Sequence, residues 1–154
     1  MTENFSDNEK QSKVLHQDGF TGIKACLPPP TKRAIVLIDP PYEIKDDYEI
    51  VVETIKDGLK RFATGTYLIW YPLLQRPEPQ LMIKNLSHLN IANWLNVTLS
   101  VQAPASDGFG MYGSGMFVIN PPWVLPKMLE EIMPILTKLL EQDEAAKFHL
   151  DSQI

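Results

Sequence analysis

The sequence is short of several things, and each shortage narrows its function. It has a single cysteine, Cys26, so no internal disulfide can form. One thiol suits a reducing cytoplasm, and its place in an apolar helical pattern predicts a buried, structural role. The three histidines, His16, His88 and His149, lie far apart without ligand spacing, so no metal site is indicated. No apolar run approaches the length of a membrane span. Met1 leads into a polar, acidic stretch that does not read as a secretory leader. Basic residues are outnumbered, 14 Lys and Arg against 19 Asp and Glu, for a net charge of −5. That argues against unaided nucleic-acid binding, which calls for a basic footprint. Lys32-Arg33 and Lys60-Arg61 read as solvated or helix-end charges. Internal repeats are absent, and the triple proline Pro28-Pro29-Pro30 is the nearest thing to low complexity.

What remains is the composition of a soluble globular domain. The chain has 154 residues, 44% hydrophobic and 21% charged, enough for one domain with a real core. Residues 1–12 read as a polar lead-in, 13–142 as the folded body and 143–154 as a polar tail. Lys13 to His16 is expected to be a short strand, closed by Gln17-Asp18-Gly19-Phe20. Gly22 to Leu27 reads as a short helix that the prolines end. Ala34 to Ile38 is a β-branched apolar run bounded by proline, which predicts a central strand buried on both faces. Asp46 to Phe62 is the clearest helix, with capping-box-like spacing of Asp46 and Glu49. Its stripe of Tyr48, Val51, Val52, Ile55, Leu59 and Phe62 predicts core packing.

Gly65 marks the exit, and Thr66 to Tyr71 reads as a buried strand stopped by Pro72. Glu78 to Leu89 is a further helix. Trp94 to Gln102 alternates apolar and polar residues, as an edge strand does. Met116 to Ile119 is expected to be its hairpin partner across a glycine-rich loop, Gly108 to Gly115. Met128 to Glu141 is an amphipathic helix with Pro126 in its first turn and a bend at Pro134. This order predicts an α/β fold with a mainly parallel sheet and an antiparallel C-terminal hairpin.

Chemistry concentrates at Asp39-Pro40-Pro41-Tyr42, at the carboxyl end of the Ala34 strand, where open α/β sheets place their ligands. The tetrapeptide resembles a motif of methyltransferases that modify the exocyclic amine of adenine. That nitrogen is a poor nucleophile because its lone pair is delocalised into the ring. A carboxylate and a carbonyl that accept its two hydrogens favour a more nucleophilic, pyramidal form. Asp39 and the Pro40 carbonyl are candidates for those acceptors, and Tyr42 for a flat face against an extruded base. A plain strand-ending turn would use the same residues. Asn120-Pro121-Pro122-Trp123 repeats the pattern and is a rival. Asp39 is preferred because its strand feeds directly into a helix, whereas the later copy reads as packing for the last helix. The loop from Gly108 to Gly115 lacks the Lys-Ser/Thr of a phosphate-binding loop and reads as a hairpin turn near the substrate mouth.

Several segments in order resemble the RlmJ family. They are Val14 to Phe20, Leu27-Pro28-Pro29, Val36 to Glu43, Tyr67 to Pro72, Gly113 to Met116 and Ile119 to Trp123. The resemblance implies a partial Rossmann-like class I fold and S-adenosylmethionine-dependent methylation of adenine N6 in 23S ribosomal RNA, in the cytoplasm. It implies Asp39 as the catalytic acid, Pro40 and Tyr42 at the substrate, and Asp18, Gly19 and Asp39 at the cofactor. Asp18-Gly19 is also a common turn.

The family's opening strand with its glycine-rich loop, and its second strand ending in an acid, have no counterpart before Val14. Nor do its N-terminal Lys and His residues or its inserted subdomain. The chain therefore resembles the C-terminal half of a family member, expected to be inactive alone. The alternatives are a DNA adenine methyltransferase or external-DNA utilisation protein, and a non-enzymatic fragment that pairs with a separate N-terminal half. Nothing in the sequence fixes the target adenine or the oligomeric state.

Overall fold

The computed structural model describes residues 12–154. In chain order come α1 (Gly19–Cys26), β1 (Ile35–Ile38), α2 (Asp46–Arg61), β2 (Thr66–Leu73), α3 (Pro77–Ser87), β3 (Trp94–Ser100), β4 (Gly113–Ile119), α4 (Leu125–Leu140) and β5 (Lys147–Gln153). The polar lead-in lies almost wholly outside the described residues. The strands form one sheet in the order β1-β2-β4-β3-β5. β1 and β2 are parallel, with Ile35 opposite Thr66 and Ile38 opposite Ile69. The other three pairings are antiparallel.

The sheet is thus mixed, which corrects the mainly parallel expectation. A parallel pair needs a long crossover, and only α2 supplies one between neighbouring strands here. β3 and β4 form the expected hairpin. β5 returns antiparallel beside β3 and turns the presumed polar tail into an edge strand. Its Phe148 and Leu150 lie opposite Leu99 and Val97.

One face of the sheet carries the core. Ile38, Tyr67, Ile69, Tyr71, Phe117 and Ile119 pack against α2 and α3, whose Val51, Ile55, Met82 and Leu86 are buried. α2 matches its predicted bounds and stripe because its apolar spacing faces this layer. Its first turn holds Asp46, Asp47 and Glu49 and its last turn Lys60 and Arg61, charges that suit the helix dipole. The capping-box spacing is not used, since Asp46 is already helical and Lys45, at the cap, makes no side-chain capping bond.

Five local expectations are corrected. Lys13 to His16 form no strand, and Val14 and Leu15 are exposed, because no described strand offers them an edge. β1 is an edge strand with Ile35 71% and Leu37 62% exposed, not a central strand buried on both faces. Its apolar run reports which surroundings it suits, and the described chain covers only one of its two faces. β3 lies inside the sheet, between β4 and β5, and not at the edge. β2 runs through Pro72, which sits opposite Ser114; beyond Ile69 no β1 residue pairs on that side, so an absent amide hydrogen is tolerated there. Cys26 is exposed, since it closes the short α1 at its outer end.

Candidate active site

β1 ends by delivering Asp39 to the rim of the sheet. The side chain is exposed, and no hydrogen bond or ion pair ties its carboxylate to the described residues. Beside it opens a hollow of about 430 Å³. The start of α1 supplies Asp18, Gly19, Phe20 and Ile23 to this hollow, and the end of β1 supplies Asp39 with its two prolines. α1 lies there because Phe20, Ile23 and Leu27 pack onto the core. The structure thus brings Asp18, Gly19, Asp39 and Pro40 around one space.

Asp18 is the N-cap of α1, which begins three residues earlier than the sequence pattern suggests. Its Oδ2 accepts from the Thr21 backbone N–H at 2.7 Å. Hydrogen bonding from Thr21, through its hydroxyl and its backbone N–H, holds the Asp18 carboxyl below its ordinary pKa. Capping engages one oxygen and leaves the other lone pairs of the carboxylate for a ligand. Gly19 has open space where a side chain would begin.

Tyr42 stands apart from this group. Its ring is 2% exposed, lies 4.6 Å from the Tyr48 ring and is absent from the lining of the hollow. Its hydroxyl donates to the Trp70 carbonyl at 2.7 Å. Burial, then neighbouring Tyr48, pushes the phenol pKa up, so it stays a neutral donor. The open stacking face expected of Tyr42 is corrected by this packing. The residue anchors the turn instead, with φ at 53°, a left-handed value that costs a non-glycine residue energy.

Arg76 holds the same turn from β2's side, and the sequence reading passed it over. Its Nη2 donates to the Tyr42 carbonyl at 2.9 Å and to the Tyr48 hydroxyl at 2.9 Å. Its guanidinium also lies 5.4 Å from the Tyr48 ring centroid. Glu78 takes Lys45 at 2.8 Å beside it. Hydrogen bonding from Lys45 keeps the Glu78 carboxyl below its usual range. The available signal was positional: Arg76 follows the neighbouring parallel strand, so it reaches the same rim.

The rival tetrapeptide is spent on structure. Asn120 Nδ2 donates to the carbonyls of Ala63 and Gly65, both at 2.8 Å. Its own carbonyl accepts from Thr66 Oγ1 at 3.0 Å. These bonds clamp β4 to the α2–β2 connection, a different task from the expected packing of the last helix. At the Asp39 rim, the β3–β4 loop is tied down by the Tyr112 N–H, which donates to the Leu73 carbonyl at 3.2 Å. Among the described residues no cluster of His, Cys, Asp and Glu is placed to hold a metal. None of their helices is long and apolar enough to cross a membrane.

Known proteins share this chain's sequence and fold. A family model described as Ribosomal RNA large subunit methyltransferase D, RlmJ, matches residues 1–151. A Haemophilus influenzae protein named Ribosomal RNA large subunit methyltransferase J is 52% identical over 137 residues, covering 89% of this chain and 48% of its own length. An Escherichia coli protein of the same name is 46% identical over 128 residues, covering 83% of this chain and 45% of its own. The chain spans about half the length of these curated relatives. A crystal structure of a Legionella pneumophila protein aligns with a TM-score of 0.81 at 28% identity, over 90% of this chain and 50% of that one. Matched along nearly all of its residues, the chain belongs to the RlmJ family of ribosomal RNA large subunit methyltransferases.

Proposed function

We propose that this chain carries the amine-gripping half of an S-adenosylmethionine-dependent methyltransferase acting on adenine N6 of 23S ribosomal RNA in the cytoplasm. The observation that carries this reading is Asp39: an untied carboxylate at the carboxyl end of β1, facing an open hollow. The residues around that hollow suit the donor. Phe20 and Ile23 offer apolar walls for its adenine ring, and Asp18 offers a carboxylate oxygen to an exocyclic amine. S-adenosylmethionine supplies an electrophilic methyl group to the nucleophile that these residues prepare.

The chain's own part is to make that nucleophile. The Asp39 carboxylate accepts one hydrogen of the target amine and the Pro40 carbonyl accepts the other. The lone pair is thereby drawn out of conjugation with the ring and aimed away from both acceptors. The methyl group for this nitrogen would come from the sulfonium of the bound donor. The surplus proton on nitrogen then lies against Asp39 and leaves to water. Tyr42 and Arg76 keep the turn in place, so the acceptors need little reorganisation during reaction.

The edge of β1, unpaired among the described residues, favours a further reading of how activity arises. The chain is inactive alone, and a polypeptide equivalent to the other half of the relatives completes the sheet beside β1. Transfer of radiolabelled methyl to unmodified 23S ribosomal RNA, with and without such a half, tests both points. Methylation only with the half present supports the proposal. Full activity of the chain alone contradicts its inactivity, and no activity in either mixture contradicts the methyltransferase reading. Co-purification of the two pieces tests the pairing separately.

A further inference from the structure

A second, smaller hollow of about 240 Å³ opens between α3 and strands β2 and β3, with Tyr112 of the β3–β4 turn at its side. Leu73 and Leu74 form part of its wall. Two residues further on, Arg76 holds the Tyr42 carbonyl. One short loop thus separates this hollow from the catalytic turn.

The lining is mostly apolar, with Pro79 and Ile83 of α3 beside the two leucines, and carries a few polar groups. Tyr71 and Tyr112 line it together with Asn96, Thr98 and Gln80, and no Lys, Arg, Asp or Glu lines it. Tyr71 is fixed in place. Its hydroxyl donates to Asn96 Oδ1 at 2.8 Å. Its ring fits over β4 only because position 115 is glycine, where a Cβ would come within 2.2 Å of the ring. The bond from Tyr71 also sets the orientation of the Asn96 amide. Its oxygen is engaged, and its NH₂ group makes no hydrogen bond among the described residues.

We propose that this hollow binds a nucleobase, the neighbour of the adenine presented to Asp39. The absence of cationic side chains makes it unsuited to phosphate. At about 240 Å³ it falls below the roughly 300–1,000 Å³ of a drug-sized site, which suits a single flat ring system. Tyr112, half-buried, offers a wall to the π-face of a base released from its stack, while Tyr71 is buried beneath and supports the floor. The Asn96 NH₂ is a donor that meets an acceptor on the base edge, a carbonyl of uracil, cytosine or guanine or a ring nitrogen of adenine. The recognition role rests on the reading of Asp39 as the adenine site, but base binding by the hollow does not.

The test is a site-resolved NMR titration of the whole chain with uridine and, separately, adenosine. Uridine and adenosine should each shift the amide resonances of Gln80, Thr98 and Tyr112 saturably. Asn96→Asp keeps an acceptor for the Tyr71 hydroxyl and removes both donors; it should weaken uridine binding about tenfold, the scale of one lost hydrogen bond of about 1.4 kcal/mol. Tyr112→Leu removes one wall and should weaken both nucleosides about tenfold. Unchanged resonances at millimolar uridine overturn the proposal. Shifts confined to Gly19 and Asp39, or equal binding by Asn96→Asp and Tyr112→Leu, also overturn it. The titration measures no methyl transfer, so its failure leaves the assignment of Asp39 to be judged on its own assay.

Discussion

The two turns Asp39-Pro40-Pro41-Tyr42 and Asn120-Pro121-Pro122-Trp123 share a pattern and invert its use. In the first, the leading polar side chain is untied among the described residues and the closing aromatic is locked in the core. In the second, the leading side chain is locked by two carbonyls and the closing Trp123 is 87% exposed. The left-handed residue moves accordingly, from Tyr42 at φ 53° to Asn120 at φ 51°. Strand direction separates them further. β1 and β2 run parallel and β4 runs against them, so the two turns sit at opposite rims of the sheet. A tetrapeptide therefore does not define a site; the rim it reaches and the side chain left untied do.

Removing the tie of each turn should sharpen this difference. Arg76→Ala takes a charged donor from the Tyr42 carbonyl and the Tyr48 hydroxyl. It should cost about 2–3 kcal/mol, lowering the thermal midpoint by about 5–10 °C, with NMR shifts centred on Tyr42. Asn120→Ala strands two carbonyls at the α2–β2 connection and puts alanine at a left-handed φ. It should cost about 2 kcal/mol in denaturant unfolding, with shifts centred on Gly65 and none at Asp39. Equal disturbance of both rims by either variant would break the comparison. Tyr42→Phe loses one buried hydrogen bond and should cost about 1 kcal/mol in the same measurement.

The smallest effect concerns pH. Asp18 has a folded pKa lowered from 3.8, so its cap stabilises at neutral pH and is lost as pH falls through that lowered value. The Thr21 amide resonance should therefore move below about pH 4 as the carboxyl protonates. Asp18→Asn keeps a capping side chain without the titration, so the step should vanish while α1 remains.

Much of the fold was legible where a segment's pattern matches its surroundings within the chain. The α2 stripe faces a layer the chain itself provides, and the β3–β4 hairpin closes on itself. β1 was misplaced for the opposite reason. Its apolar run suits burial on both faces, yet Ile35 and Leu37 face outward and their covering is not in the described chain. β5 was overlooked because Phe148 and Leu150 alternate with Lys147, His149 and Asp151, a short and polar signal that becomes a strand only beside β3. At the candidate site, the acid and its prolines were readable as a local motif. The burial of Tyr42 and the grip of Arg76 were not, because both depend on β2 lying alongside β1.

The account turns on whether the carboxylate at position 39 performs the chemistry. The direct measurement is methyl transfer to 23S ribosomal RNA by the chain complemented with the other half of its Haemophilus influenzae relative, comparing wild type with Asp39→Asn. A loss of about 10²–10³-fold in rate is predicted. Unfolding should stay within about 0.5 kcal/mol of wild type, because the side chain is exposed and untied. Retention of the wild-type rate by Asp39→Asn, in a complex that is folded and active, would contradict it.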